Sequence, residues 1–246
     1  MNNALTISGL TKTYKDFVLD KVSFSVPEGS IVGLIGENGA GKSTTINAAL
    51  GLIQKDAGYI SIMGQEELDN DTKEQIGVVF DGSNYPEILS PKKLNRVMKN
   101  IYHSWDEHTY MSLMKKFALP ADKQIKQFSK GMKMKLAISV ALSHNSKLLI
   151  LDEATSGLDP VAREDLLELF QQLVKDGKRS ILFSTHITSD LDKCADDITY
   201  IKNGEIIASA DKASFIQAFQ SLKAPGEDNL NLEEIMVRNE RGTYNV

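Results

Sequence analysis

A glycine-rich run near the start of the chain limits most strongly what this sequence folds into. Residues 36–43 read G-E-N-G-A-G-K-S and match the pattern G-x-x-x-x-G-K-[ST]. Glycines let the backbone curl so that successive N–H groups point at phosphate oxygens, and the positive end of the following helix faces the same anion. A buried-type apolar run, Ser30–Ile35, precedes the loop, and a helical pattern through Thr45 to Leu50 follows it. This setting favours a phosphate loop over an ordinary glycine-rich turn and predicts a nucleoside triphosphate site.

The loop supplies two kinds of ligand. Lys42 places a mobile positive charge between the β- and γ-phosphates, and Ser43 offers a hydroxyl to Mg²⁺. A nucleoside triphosphate and Mg²⁺ are therefore the expected ligands. The predicted nucleotide-binding residues of the loop are Gly36, Glu37, Asn38, Gly39, Ala40, Gly41, Lys42, Ser43 and Thr44.

Two acids follow an apolar run further along the chain. Residues 148–151 are apolar and lead into Asp152 and Glu153. A parallel strand delivers its C-terminal residues to the ligand edge of the sheet, beside the phosphate loop. Asp152 is then expected to hold Mg²⁺ and orient Ser43, while Glu153 polarises the attacking water as a general base. Two solvated acids after a strand are common in isolation, but the upstream loop favours the catalytic interpretation.

A histidine follows a third apolar run. Residues 180–185 are predicted to form a buried strand that ends at the same edge, immediately before His186. His186 is therefore a candidate contact for the γ-phosphate that senses hydrolysis. The other histidines have no comparable setting and are given no role.

The remaining patterns predict one α/β domain with an insertion. Alternating apolar and polar residues from Leu5 to Val26 predict short antiparallel strands. Further strands are predicted at 58–62 and 77–80, a helix from about Pro160 to Lys175, and a hairpin at 198–208 turning at Asn203-Gly204. Helical spacing from Ser90 to Leu119 and a long helix from Lys130 to Leu142 predict a helical insertion at about 84–145. The domain spans 1–225, and 226–246 is a short, mostly polar C-terminal extension with one apolar cluster.

Composition excludes several classes of protein. The chain has 246 residues, of which 41% are hydrophobic and 25% charged, and no apolar run approaches the roughly 20 residues needed to span a bilayer. The N-terminus lacks the pattern of a secretory signal. A single cysteine, Cys194, cannot form an internal disulfide and fits a reducing cytosol. The net charge of −5, with lysines scattered apart from Lys130, Lys133 and Lys135, argues against nucleic acid as a partner.

As a set, the motifs resemble those of the nucleotide-binding domain of ABC transporters. Residues 128–132, F-S-K-G-M, resemble the signature usually written L-S-G-G-Q, and residues 154–160 resemble the D-loop. Residues 184–186, S-T-H, resemble the switch-histidine segment, and Tyr14 matches the aromatic residue that stacks on adenine. These features follow the family's order and spacing from about residue 4 to residue 210.

The resemblance implies both a fold and a mechanism. The fold is a P-loop NTPase cassette with a RecA-like core, an N-terminal antiparallel β-subdomain and an inserted α-helical subdomain. Two such domains, identical or paralogous, meet head to tail, so that ATP on one phosphate loop is covered by Ser129 and Gly131 of the other copy. Asp159 is also implied as a nucleotide-binding residue. The cycle would drive a transmembrane permease subunit on a separate chain, at the cytoplasmic face of the membrane.

The sequence departs from the family pattern at three positions. Lys130 and Met132 replace the signature's first glycine and its glutamine, and Asp81 stands where the Q-loop has glutamine. An aspartate near phosphates is tolerable only if Mg²⁺ or water intervenes. Asp81 is therefore predicted to be a Mg²⁺-side ligand whose geometry slows hydrolysis until the membrane partner docks.

The resemblance also narrows the transporter class and leaves alternatives. Residues 104–106, 115–117 and 128–133 are similar to exporter ATPases of Gram-positive bacteria, including those that expel amphipathic peptides such as phenol-soluble modulins. Translation factors of the family carry two cassettes, and its DNA-repair members carry long coiled coils that are not found here. A soluble single-cassette factor acting in assembly or regulation stays open. The predicted docking surface for the permease is at about 81–105, where Tyr85, Pro86 and Leu89 serve either docking or core packing.

Overall fold

The computed structural model describes residues 2–81, 85–223 and 229–241, the side chain of Arg241 excepted. Its strands fall into two sheets. In chain order they are β1 (Asn3–Thr13), β2 (Val18–Pro27), β3 (Ile31–Ile35), β4 (Ala57–Ile62), β5 (Ile76–Val79), β6 (Leu148–Asp152), β7 (Ser180–Thr185), β8 (Asp197–Lys202) and β9 (Glu205–Asp211). The helices are α1 (Lys42–Ala49), α2 (Asn70–Glu74), α3 (Pro91–Ile101), α4 (Glu107–Lys116), α5 (Lys130–Leu142), α6 (Pro160–Val174), α7 (Thr188–Cys194), α8 (Lys212–Ala218) and α9 (Leu232–Arg241).

The larger sheet has the order β5-β6-β7-β3-β8-β9, with every pair parallel except β8 and β9. Strands β3, β6 and β7 are buried along their whole length, as the continuous apolar runs predicted. Alternate residues of β3 serve different cores: Ile31 and Ile35 pack with the helices α3 to α6, whereas Val32 and Leu34 pack with the smaller sheet and α1.

The smaller sheet is antiparallel, in the order β2-β1-β4. Leu5 of β1 lies opposite Val26 on one side and Ile62 on the other, and all three are fully buried. The predicted N-terminal antiparallel subdomain and the predicted α/β class are therefore both confirmed.

Between β5 and β6 the described residues form helices α3, α4 and α5, as the helical spacing predicted. The exact domain limits stay predictions, because residues 84 and 226 lie outside the described residues. The short helices α2, α7 and α8 were not predicted, since five to seven residues give too little periodicity to read.

The C-terminal segment packs on the domain. Leu230, Leu232 and Ile235 are at most 3% exposed and belong to the core that lies against helices α3 to α6. Helix α9 contacts α7, the helix that follows His186. In the part of the chain that the structure describes, no helix has the length and apolar character that a membrane span requires.

Candidate functional site

The glycine-rich loop connects β3 to α1, and two of its glycines allow close approach. A Cβ on Gly36 would lie 2.3 Å from the carbonyl oxygen of Ile201 in β8. Gly41 has a φ of 116°, and a Cβ there would lie 2.7 Å from Cδ2 of Leu19. The amide of Gly204, at the turn between β8 and β9, donates to the carbonyl of Ala40 at 2.9 Å. The loop is therefore held by its neighbours in a shape that only glycine permits.

Lys42 is buried inside this loop, with 5% of the residue exposed. Its Nζ donates to the carbonyl oxygens of Gly36 at 2.7 Å and Glu37 at 3.1 Å. The ammonium group thus lies among backbone groups of the predicted phosphate cradle, as a phosphate-binding lysine requires.

The ends of three parallel strands bring Lys42, Glu153 and His186 together. Lys42 Nζ lies 3.4 Å from Oε1 of Glu153, an ion-pair distance without hydrogen-bond geometry, and Nδ1 of His186 lies 2.8 Å from Oε2. Glu153 has a φ of 53°, which a residue with a Cβ seldom adopts. The left-handed turn after β6 directs the carboxylate back over the loop. A carboxylate held between an ammonium and an imidazole is positioned to accept a proton from water.

Asp152 is fixed by a residue that the sequence reasoning missed. The hydroxyl of Ser184 in β7 donates to Oδ1 of Asp152, and the carbonyl of Ser184 accepts from the amide of Glu153 at 3.0 Å. Asp152 and Ser184 are also register partners at the ends of β6 and β7. Aligning the ends of the two apolar runs would have revealed this pairing.

The donors near Asp152 fit Mg²⁺. Ser43, in the first turn of α1, contributes a hydroxyl and Asp152 a carboxylate, which are the hard oxygen ligands that Mg²⁺ prefers. Within the described ranges no group of three or more His, Cys, Asp and Glu side chains could hold a metal by itself. A site with one or two protein ligands suits Mg²⁺ that is shared with substrate phosphates.

Asp81, the third predicted metal ligand, has a different partner. Its Oδ1 lies 2.7 Å from Nζ of Lys130, and both side chains are about half exposed, at 47% and 44%. Its assignment to Mg²⁺ stays a prediction.

The signature-like segment begins helix α5. Ser129 is the N-cap, and its hydroxyl accepts from the amide of Met132 at 3.2 Å. A Cβ on Gly131 would lie 3.2 Å from Cδ2 of Leu158, and one on Gly157 would lie 3.0 Å from Cδ of Lys130. Within one chain, Lys130 and Gly131 therefore pack against the loop at 154–159, while Ser129 is exposed.

Two further predicted ligands lie at the ends of elements. Tyr14 is 44% exposed in the turn between β1 and β2, where its amide donates to the carbonyl of Phe17 at 2.8 Å. The ring of Phe17 would lie 3.1 Å from a Cβ on Gly41, so this turn borders the phosphate loop. Asp159 caps α6 by accepting from the amide of Ala162, and this hydrogen bond lowers the pKa of Asp159.

The predicted permease-docking residues divide between core and surface. Tyr85 and Leu89 are partly buried and pack against the core, and burial raises the pKa of Tyr85. Pro86 is exposed, and Ile88 is 70% exposed.

A cavity of about 920 Å³ opens beside the phosphate loop. One wall is formed by Gly36, Glu37 and Asn38, followed by the segment from His186 to Ser189. The facing wall belongs to α9 and consists of Glu233, Met236, Val237 and Glu240. The mostly polar composition of residues 226–246 did not predict this second wall, although their apolar cluster includes Met236.

Comparisons with known proteins relate this chain to one family. A family model described as ABC transporter matches residues 19–156, which include the phosphate loop, the signature-like segment and Glu153. The lantibiotic transport ATP-binding protein SrtF of Streptococcus pyogenes is 36% identical over 206 residues, covering 82% of this chain and 89% of its own.

Two further relatives extend the comparison. The bacitracin transport ATP-binding protein BcrA of Bacillus licheniformis is 31% identical over 212 residues, covering 84% of this chain and 69% of its own. A solved structure described as the ATP-binding subunit of an ABC transporter aligns with a TM-score of 0.83 and 31% identity, covering 95% of this chain and 98% of its own.

Proposed function

This chain belongs to the ATP-binding proteins of ABC transporters, and we propose that two head-to-tail copies of such a subunit drive a permease on a separate chain. ATP hydrolysis coupled to transport is the activity of the family. The cargo that we propose is an amphipathic peptide or drug leaving the cell, since relatives are named for lantibiotic and bacitracin transport. The observation that carries the proposal is the cluster of Lys42, Glu153 and His186 at the phosphate loop.

In this proposal the loop binds the triphosphate of ATP. The backbone amides of 36–44 and the N-terminus of α1 face the phosphate oxygens, and Lys42 exchanges the carbonyls of Gly36 and Glu37 for phosphate. Tyr14 borders the loop and would stack on the base. Asp159 approaches the nucleotide from the second copy.

Glu153 acts as the general base for the attacking water. His186 holds the carboxylate through Nδ1 while its ring lines the cavity beside the loop, where the γ-phosphate would lie. Ser43 and Asp152, with Asp81 as a further candidate, would hold Mg²⁺, which neutralises charge that develops on the phosphates. Ser184 fixes Asp152 for this role.

A second copy would be needed because Ser129 and Gly131 begin α5 and are not among the described residues that line the cavity at their own chain's phosphate loop. Ser129 and Lys130 are exposed at the N-terminus of α5, a helix of 13 residues whose first amides favour an anion. Presented by a partner, this end would cover the γ-phosphate. The partner is another copy of this chain or a paralogue.

Binding to the permease would place this ATP-binding subunit at the cytoplasmic face of the membrane. Ile88 and Pro86 are exposed next to the helical insertion and give an apolar contact for the permease. Residues 1–225 would form the cassette and 226–246 a C-terminal extension, of which helix α9 packs on the cassette.

Glu153→Gln is the sharpest test, because it removes the base while keeping the side chain's shape. We expect steady-state ATPase activity to fall about 10²–10⁴-fold and ATP to trap a dimer, measured by sedimentation. Glu205→Gln on the exposed strand β9 is the control and should leave both properties unchanged. A Glu153→Gln chain that stays monomeric with ATP at high protein concentration would contradict the paired mechanism.

Co-purification from the native membrane tests the transport role. The expected result is recovery of this chain with a membrane subunit. Recovery with soluble partners alone would favour a soluble ABC ATPase that acts in assembly or regulation.

A further inference from the structure

Helix α9 is built as a wall of the cavity beside the nucleotide site. Its inner face carries Leu232 and Ile235, which are at most 1% exposed. Met236, at 9% exposed, packs in the core on the same face and also lines the cavity, whereas Val237 lies on the outer face, lines the cavity and is 41% exposed. The apolar residues of the cavity are thus the two on α9 and Ile187, next to His186.

Polar contacts fix this wall to the strand beside the phosphate loop. The carboxylate of Glu240 accepts from the hydroxyl of Tyr200 at 2.5 Å and lies 3.2 Å from Nζ of Lys202. Arg238 donates to the carbonyl of Leu222 at 2.8 Å. The buried residues of α9 and these polar contacts fix the helix on the domain, so Met236 and Val237 are held at the cavity.

We infer that the patch of Ile187, Met236 and Val237 is part of the interface between subunits and receives Val161 of a second copy. This inference rests on the head-to-tail pair of the proposed function and adds the C-terminal helix to its contact surface. Val161 is the second residue of α6 and is 71% exposed, the highest value among the large hydrophobic side chains of the described residues.

Val161 lies close in sequence to the loop at 154–159, against which the start of α5 packs. A partner subunit must present this start of α5 to the nucleotide. Ser129 and Gly131 begin α5, which packs on the loop at 154–159, and Val161 follows that loop directly. A partner that brings its Ser129 over the phosphate loop therefore brings Val161 toward the same side. The cavity is continuous from Gly36 to Val237, so the phosphate loop and the apolar patch face one opening.

The negative charge of the cavity lining disfavours a phosphate group bound beside α9. Glu37, Glu233 and Glu240 line the cavity, and none of the described residues that line it is Lys or Arg. An anionic group would be repelled there, whereas an aliphatic side chain would be covered by Met236 and Val237. By two-fold symmetry the contact would occur twice in a homodimer.

Cross-linking tests the contact directly. In a Glu153→Gln background, Val161→Cys and Val237→Cys are combined and treated with a short bis-maleimide. The native Cys194 is 4% exposed and does not compete. We expect a covalent dimer that requires ATP. The matched control replaces Val237→Cys by Ile207→Cys on β9, which is 42% exposed and outside the cavity lining, and should give no cross-link.

The outcomes separate the two proposals. A dimer that forms with ATP by sedimentation but does not cross-link between 161 and 237 overturns this contact and leaves the paired motor intact. The absence of any ATP-dependent dimer in the Glu153→Gln parent contradicts the proposed function itself.

A charge test gives an independent readout. Val237→Asp in the Glu153→Gln background should raise the dimer dissociation constant at least tenfold while leaving nucleotide binding by the monomer unchanged. Ile207→Asp should leave both unchanged, and adding Val161→Lys to Val237→Asp should restore most of the dimerisation. A dissociation constant within twofold of the parent for Val237→Asp would overturn the inference.

Discussion

Lys130 and Asp81 form an ion pair, with 2.7 Å between Nζ and Oδ1. These are two of the positions at which the sequence departs from the family pattern, and the two departures carry opposite charges. The stem of Lys130 also covers Gly157 in the loop that follows Glu153. The side chain of Lys130 thus contacts the segment after β5 and the loop that follows Glu153, the proposed general base, from the start of α5.

We predict that the two substitutions Asp81→Gln and Lys130→Gly are coupled in their effect on ATPase activity. Each alone leaves one charge without its partner and should change kcat several-fold, whereas the double variant should lie closer to the wild type. Stability should change by only about 0–1 kcal/mol, because both side chains are half exposed. Steady-state kinetics and thermal melts of the four proteins form the double-mutant cycle.

If the effects on kcat add without coupling, the ion pair has no part in turnover. A changed Mg²⁺ requirement in Asp81→Gln, independent of residue 130, would instead support Asp81 as a ligand on the Mg²⁺ side.

We predict that Ser184 positions the metal-binding carboxylate. Ser184→Ala removes the donor to Asp152, so kcat should fall about tenfold and the unfolding free energy by about 1 kcal/mol. Ser180→Ala is the matched control on the same strand, because Ser180 is equally buried and its hydroxyl accepts from the amide of Gly29 at 2.9 Å. It should cost similar stability, by urea unfolding, and leave kcat unchanged. Equal losses of kcat in both variants would reduce Ser184 to a structural role.

Most of the core of the fold could be predicted from the sequence, because its strands are continuous apolar runs. Burial of β3, β6 and β7 on both faces confines their polar residues to the ends of the strands, so the apolar pattern stays clear. The same topology predicts that Lys42, Glu153 and His186 meet, since parallel strands end at one edge.

Contacts between distant segments could not be predicted in this way. The pair of Lys130 and Asp81 joins residues 49 positions apart in sequence that share no element. Helix α9 was read as a polar extension because its charged residues outnumber its apolar ones, although Leu232 and Ile235 are buried. Only the tertiary structure shows that these few apolar residues complete the core.

We predict that Asp190 makes stability depend on pH. Burial raises the pKa of Asp190, and Arg163, whose Nε lies 3.4 Å away, opposes this in part, as does Lys193, while Glu164 adds to it. The folded state then binds a proton more readily than the unfolded state, so this residue's contribution to stability grows as pH falls from the folded pKa toward the unfolded one. Relative to Asp190→Asn, the wild type should therefore gain stability between pH 7 and pH 4.

Urea unfolding at several pH values measures this difference. Asp165→Asn on the exposed face of α6 is the control and should track the wild type. A difference between wild type and Asp190→Asn that is constant with pH would show that Asp190 does not titrate differently on folding.

We predict that Cys194 is unreactive in the folded protein. It is 4% exposed, and burial raises the pKa of its thiol to about 12, so little thiolate forms at pH 8. Alkylation by iodoacetamide, followed by mass spectrometry, should be slow in buffer and fast in guanidinium chloride. Rapid labelling in buffer would mean that α7 opens readily. Cys194 would then have to be replaced before the cross-linking experiment with Val161→Cys and Val237→Cys.

We predict that helix α9 is required for stability through its inner face alone. Ile235 is fully buried in the core, so Ile235→Ala should cost about 2–5 kcal/mol of unfolding free energy. Val237 is 41% exposed on the same helix, and Val237→Ala should change stability by less than about 0.5 kcal/mol in the isolated subunit. Urea unfolding of both variants makes the comparison within one helix. Equal and small effects would mean that α9 is not part of the folded core, whereas a loss confined to Ile235→Ala leaves the outer face of α9 free for contact with another subunit.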